Sequence, residues 1–156
     1  MVNQRSVQNN MLELAFLTID GEPIPKGRPR FRVMGKFVQA YTPAKTKKEE
    51  QRIREEIKKQ FIRKPFSYPI AVDIDFFFTI PKTYFRSKKK IQELADNYYY
   101  HTSRPDCDNL AKLVLDAMNG LVYEDDKQIF GLRIVKMYAP PGRDARTEIR
   151  IKRAIE

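Results

Sequence analysis

Between Asp106 and Asp126 the chain gathers six carboxylates, Asp106, Asp108, Asp116, Glu124, Asp125 and Asp126, around one lysine, Lys112, although the whole protein carries a formal net charge of +10. Like charges brought together raise one another's pKa and cost free energy unless a cation or a proton offsets them. A divalent metal facing a phosphodiester fits that requirement best. Mg²⁺ takes oxygen ligands and keeps some water, and a lysine beside it can balance charge developing on a scissile phosphate. Plainer roles compete at each position. Asp106 could simply cap a helix, Asp108 could serve as a first-turn anion or pair with Lys112 at i,i+4, and Asp125-Asp126 could be a solvated turn. The conjunction favours the metal: two carboxylates at a helix start and another pair returning after the helix ends form a hard-cation cup. Asp73 and Asp75, alternating on a strand face, are expected to be solvated rather than ligating.

A helix and a corner must place these groups. Asp106 stands at the cap, Asp108 in the first turn, and Gly120 where the helix should end. Leu110, Leu113, Val114, Ala117 and Met118 follow the spacing of a buried stripe, while Asp108, Lys112 and Asp116 follow one another at i+4 on another face. Upstream, Leu12 to Ile19 reads as a strand closed by the turn Asp20-Gly21, and the proline- and glycine-rich stretch Gly21 to Arg32 as a loop. Phe31 to Met34 and Phe37-Val38 form a hairpin about Gly35-Lys36. An amphipathic helix is expected from Pro43 to Lys64, with Ile53, Ile57, Phe61 and Ile62 on its apolar side. Ile70 to Ile80 alternates as a strand, with Val72, Ile74, Phe76 and Phe78 on one face. A short helix over Ser87 to Asp96 leads into the aromatic and basic loop Tyr98 to Arg104. Ile129 to Tyr138 and Arg146 to Ile151 read as strands joined by a turn at Pro140 to Asp144. This order implies a single α+β domain with a mixed or antiparallel sheet and packed helices. Residues 1–10 are expected to be a flexible arm and residues 11–156 the domain.

Composition bounds the partners. With 156 residues and 42% hydrophobic side chains, the chain can bury one core and is not a disordered sequence. Thirty Lys and Arg against twenty Asp and Glu favour a polyanion, with nucleic acid first. Lys26, Arg28, Arg30 and Arg32 alternate through the proline-rich loop, Lys45, Lys47 and Lys48 follow on the next helix, and Lys88, Lys89, Lys90 and Arg104 flank the tyrosine run; these are the candidate DNA contacts. The lone cysteine, Cys107, excludes an intrachain disulfide and a thiolate zinc site. There is no signal peptide or membrane-spanning run, so a cytoplasmic protein without membrane attachment is expected. His101, the only histidine, could touch a phosphate or a leaving group, but a lone loop histidine more often does neither.

Arg104-Pro105-Asp106-Cys107-Asp108-Asn109-Leu110-Ala111-Lys112, continued by Asp116-Ala117-Met118-Asn119-Gly120 and Tyr123-Glu124-Asp125-Asp126-Lys127-Gln128, resembles the signature of the RusA-like Holliday junction resolvases. Pro23 to Phe31 and Tyr41-Thr42-Pro43 are similar to the N-terminal motifs of the same family. The resemblance spans roughly residues 14 to 138. It implies a metal-dependent endodeoxyribonuclease, using Mg²⁺ or Mn²⁺, that acts as a homodimer on four-way DNA junctions and leaves a 5′-phosphate and a 3′-hydroxyl. Carried over by position, the essential aspartates fall on Asp106, Asp108 and Asp126 and the essential lysine on Lys112, with Asp125 turned away. Cys107 occupies a variable position of the motif, where a small buried role is expected.

Two other readings compete: a metal-dependent nuclease for flap DNA or RNA, and a non-catalytic nucleic-acid-binding protein whose carboxylates cap helices. Paired nicks need two sites, and the motif occurs once, so a two-fold dimer is expected. Phe77, facing away from Phe76 and Phe78 along the strand, is the candidate for its apolar interface, against the alternative that a helix covers it.

Overall fold

A computed structural model describes residues 10–155. The chain runs β1 (Met11–Asp20), β2 (Arg30–Met34), β3 (Phe37–Tyr41), α1 (Ala44–Gln60), β4 (Ile70–Phe78), α2 (Lys88–Asp96), α3 (Cys107–Met118), β5 (Ile129–Tyr138) and β6 (Arg146–Ala154). The arm expected over residues 1–10 lies outside the described residues except for Asn10, whose carbonyl accepts the Ile155 N–H at 2.8 Å.

β4 sits inside the main sheet because its β-branched and aromatic residues can be buried on both neighbours. The strand order is β1-β6-β4-β5. β4 pairs antiparallel with β6 and parallel with β5, so the sheet is mixed and the fold α+β. β5 and β6, which the sequence joins by a turn, are not neighbours: β4 lies between them. The β4-to-β5 connection crosses over through α2 and α3, as a parallel pair requires.

One face of the sheet builds the core. Val72, Ile74 and Phe76 of β4 meet Ile151, Ile149 and Thr147 of β6 in register, and Leu17 and Ile19 of β1 extend the layer. Ile53 and Ile57 of α1 and Leu110, Leu113, Val114, Ala117 and Met118 of α3 complete it; all are buried. α1 stops at Gln60, short of Lys64. Phe61 turns inward to pack edge-on against Phe66, with ring centroids 5.4 Å apart, so Ile62, expected on the apolar stripe, is 88% exposed.

The opposite face carries charge. Asp75 accepts from Arg133 at 3.0 Å and from Arg150 at 2.8 Å, and Asp73 pairs with Lys152. These aspartates are therefore neutralised within the sheet and not solvated as expected; Asp75 is buried. Phe77 is half-buried, with the Arg146 guanidinium 4.0 Å above its ring. Exposed apolar side chains concentrate instead on the β2–β3 hairpin, at Phe31, Val33, Phe37 and Val38. The loop before it is shorter than expected, because β2 begins at Arg30.

Candidate active site

α3 carries the motif, and two anchors fix its beginning. The segment before it adds to the free side of β5: the His101 N–H donates to the Lys136 carbonyl at 3.0 Å and the Tyr138 N–H to the Tyr99 carbonyl at 2.7 Å. Lys136 then reaches across and donates to the carbonyls of Ser103 at 2.6 Å and Pro105 at 2.7 Å. The ammonium thus satisfies loop carbonyls immediately before Asp106. At the far end, Arg54 of α1 donates to the carbonyls of Ala117 at 2.9 Å and Asn119 at 3.0 Å, meeting helix-terminal acceptors that would otherwise lack partners. Gly120, at φ +72, makes the turn that follows.

The acidic corner is built on Gln128. Its side-chain oxygen accepts the Asp125 N–H at 2.8 Å, and its amide donates to the carbonyls of Phe66 at 2.9 Å and Tyr68 at 3.0 Å. Asp125 caps the short 3-10 turn Asp126–Gln128 by accepting the Lys127 N–H at 3.0 Å. That bond, with the nearby Lys127 ammonium, holds the Asp125 carboxyl below its usual range. Asp125 is a structural cap, and Asp126 is exposed and, among the described residues, in no ion pair. Tyr123, buried beneath the corner, donates its hydroxyl to the Leu115 carbonyl at 2.7 Å. Burial pushes its phenol up, and the charges of Asp126 and then Asp116 push it further. The Tyr123 hydroxyl bond to Leu115 ties the corner to α3.

Asp106 occupies the N-cap position of α3, yet its side chain makes no capping hydrogen bond. The Asp108–Lys112 pair that i,i+4 spacing allows does not form: among the described residues no ion pair involves Asp106, Asp108, Lys112 or Asp126. Asp106, Asp108, Lys112 and Asp126 are all exposed. Among the described residues, no three His, Cys, Asp or Glu side chains gather in a geometry that could hold a metal ion by themselves. The cup expected from the sequence is thus a set of available donors on one helix and one corner.

An open cleft of about 690 Å³ lies against Asp106, with Lys26, Arg28, Arg104 and Asn109 in its lining. A second, of about 400 Å³, shares Arg28 and adds Arg30 and Lys45. The structure therefore brings Arg28 and Arg104 alongside the motif and places Arg30 in the adjoining cleft. Arg32 lies farther along the hairpin, where it donates to Gln39 at 3.1 Å. Lys88, Lys89 and Lys90 begin α2 and line neither cleft, and Lys90 sits 5.8 Å over the Tyr84 ring. Lys26 is paired with Asp116.

His101 is not at the surface. It is buried, with its ring stacked on Phe78 at 4.1 Å and tilted against Tyr138 at 4.9 Å. Burial, and then the Lys136 charge, hold its pKa below the ordinary value. Cys107 is half-buried. Lys136, Arg54 and Tyr123 went unnoticed in the sequence because their partners are backbone carbonyls, which leave no residue pattern; Gln128 stood in the motif without an assigned task.

A basic α+β protein with unneutralised carboxylates and a lysine on one helix, beside a cationic cleft, has the making of a nuclease. The sequence model of the family described as Endodeoxyribonuclease RusA matches residues 20–152. The chain belongs to that family. It is 32% identical over 135 residues to the uncharacterized protein YqaN of Bacillus subtilis (strain 168), a match covering 86% of this chain and 93% of that protein. Among the described residues, no helix is long and apolar enough to cross a membrane.

Proposed function

We propose that the chain is a metal-dependent endodeoxyribonuclease that resolves four-way DNA junctions by paired nicks in opposed strands. It acts as a homodimer in DNA recombination and repair in the cytoplasm, through one domain from residue 11 onward. The observation that carries this reading is the set Asp106, Asp108, Lys112 and Asp126, none of them in an ion pair among the described residues, in a chain that pairs Asp73, Asp75 and Asp116 with cations.

The donor set suits Mg²⁺ or Mn²⁺. Three exposed carboxylates offer hard oxygen ligands, and Mg²⁺ ordinarily uses one or two carboxylates with water and substrate phosphate rather than an all-protein cage. Bound there, such an ion lowers the pKa of water and withdraws charge from the phosphate. Lys112, one turn beyond Asp108, offsets the negative charge that develops on the phosphate or the leaving 3′-oxygen as in-line attack leaves a 5′-phosphate. Arg28 and Arg104 hold backbone phosphates in the cleft beside Asp106, and Arg30, Arg32 and Lys88 to Lys90 extend the basic track. Such contacts orient DNA without reading its sequence, while the two-fold axis supplies the second site.

The test is incubation of the purified protein with a synthetic four-way junction, a linear duplex, a flap substrate and an RNA hairpin, with Mg²⁺ or with EDTA, followed by product sizing. Symmetric nicks in the junction alone, dependent on Mg²⁺, are expected. Preferential cutting of flap DNA or RNA would assign another nuclease activity, and no products with any divalent ion would leave a DNA-binding protein.

A further inference from the structure

Lys26 stands in the basic loop between β1 and β2, where residue type alone makes it a phosphate contact. Its surroundings argue otherwise. The ammonium is paired with Asp116, two turns along α3 from Asp108, and the two side chains are only 22% and 32% exposed. The backbone beside it is pinned as well: the Lys26 N–H donates to the Asn109 carbonyl at 2.9 Å, and the Gly27 N–H donates to the Thr46 hydroxyl oxygen at 3.0 Å. At Gly27 the loop lies so close to α1 that a Cβ would stand 2.5 Å from that oxygen. The next residue, Arg28, lines the cleft shared with Asp106 and Arg104.

We propose that Lys26 is a positioning residue: its ion pair with Asp116 seats the loop on α3, so that Arg28 faces the DNA strand at a fixed distance from Asp106. The pair also neutralises Asp116, which lies one turn beyond Lys112 on the ridge, as Asp108 lies one turn before it. The carboxylates left uncompensated are then those at the start of α3 and at the corner. Lys26 acts through Arg28 and Asp116 and does not touch the phosphate. This inference rests on the nuclease reading above.

Two measurements separate positioning from phosphate contact. A lysine that neutralises one phosphate contributes about 0.9 to the slope of log K against log salt concentration, so its removal lowers the slope by that amount. A positioning lysine leaves the slope where it was and lowers turnover on saturating junction, by roughly 10- to 100-fold if the loop shifts on the order of 1 Å. Lys26→Met is expected to give the second result, and Asp116→Asn to lower turnover similarly. The double variant should be no worse than the more impaired single variant, because both disable one device. The exchanged pair, Lys26→Asp with Asp116→Lys, should recover part of the turnover. A slope reduced by about 0.9 with full turnover in Lys26→Met would overturn the proposal, as would strictly additive losses. If the parent cuts no substrate, the nuclease reading fails separately. The salt slope of junction binding and a thermal double-variant cycle then decide for Lys26: an unchanged slope with coupled melting temperatures upholds the seating pair, and a lowered slope without coupling removes it.

Discussion

The two acidic regions of the molecule treat the same side chain in opposite ways. On the outer face of the sheet, Asp75 is matched by cations from both neighbouring strands, β5 and β6, and Asp73 by one from β6. On α3 and the corner after it, Asp106, Asp108 and Asp126 have no such partner among the described residues, although a capping position and an i+4 lysine stand ready. Exposure does not explain the difference, since Lys58 pairs with the exposed Glu55 elsewhere. A matched aspartate serves the fold, and an exposed, unmatched one is open to a ligand. The contrast gives a way to sort structural from functional acids that substitution can test.

The largest expected effect breaks that contrast at its functional end. Asp108→Asn and Asp126→Asn should bring junction cleavage down by at least about 10³-fold, through lost metal-assisted activation of water. Junction binding should persist or tighten, because a charge that repels phosphate is gone. Melting temperature should hold or rise, since an uncompensated like charge has been removed. Asp125→Asn is the internal control: it removes a cap and should cost some stability while leaving most of the activity. Parallel gel cleavage assays and thermal melts measure all of this, and equal activity losses at Asp125 and Asp126 would erase the distinction drawn at the corner.

Lys112→Ala comes next. Loss of one charge-stabilising donor at the reacting phosphate costs about 10²- to 10³-fold in turnover. Affinity and its salt dependence should change little, whereas Arg28→Ala should weaken binding and lower the salt slope. If Lys112→Ala reproduced the Arg28 result, the lysine would belong with the docking residues.

At the structural end the expected effect falls on stability. Asp75→Asn leaves Arg150 and Arg133 without their shared carboxylate. Because both arginines retain solvent contact, the cost is about 2 kcal/mol rather than that of a fully buried pair. That corresponds to a fall in melting temperature of about 4–8 °C for a chain of this size. Turnover at permissive temperature should be unchanged, and a specific loss of cleavage would place Asp75 on the wrong side of the contrast.

How much of this was legible beforehand follows from the range of the interactions. Periodicity within α3 is local, and the stripe Leu110, Leu113, Val114, Ala117 and Met118 was read correctly, as were the hairpin and the helix starting at Lys88. The acidic motif and Lys112 were visible as residue types at set spacings. Strand order was not, because nothing in the spacing of β5 and β6 says that β4 will be inserted between them. The neutralisation of Asp73 and Asp75 depends on that insertion, so alternation alone made them look solvated. The Lys26–Asp116 pair was hidden for the same reason: its two members lie 90 residues apart on different elements.

The smallest expected effect concerns a group kept from charging. His101 lies between Phe78 and Tyr138, its Nδ1 is buried without a hydrogen-bond partner, and the Lys136 ammonium is a neighbouring charge. Burial first, and Lys136 second, hold its folded pKa below 6.5; Glu22 pulls weakly the other way. The unfolded chain therefore takes up a proton near pH 6.5, whereas the folded chain resists until lower pH. Between those points the unfolded state binds more protons, so stability falls as pH drops below about 6.5 and levels off beneath the folded value. A fall in melting temperature between about pH 7.5 and 5.5 should come from this group. His101→Phe preserves the stack and should remove that component. It should leave the pH dependence of cleavage in place, because the buried imidazole is expected to take no part in the chemistry. A pH profile of cleavage that moved with His101→Phe while the melting curve did not would make the histidine a participant in the chemistry and return it to the functional side of the contrast.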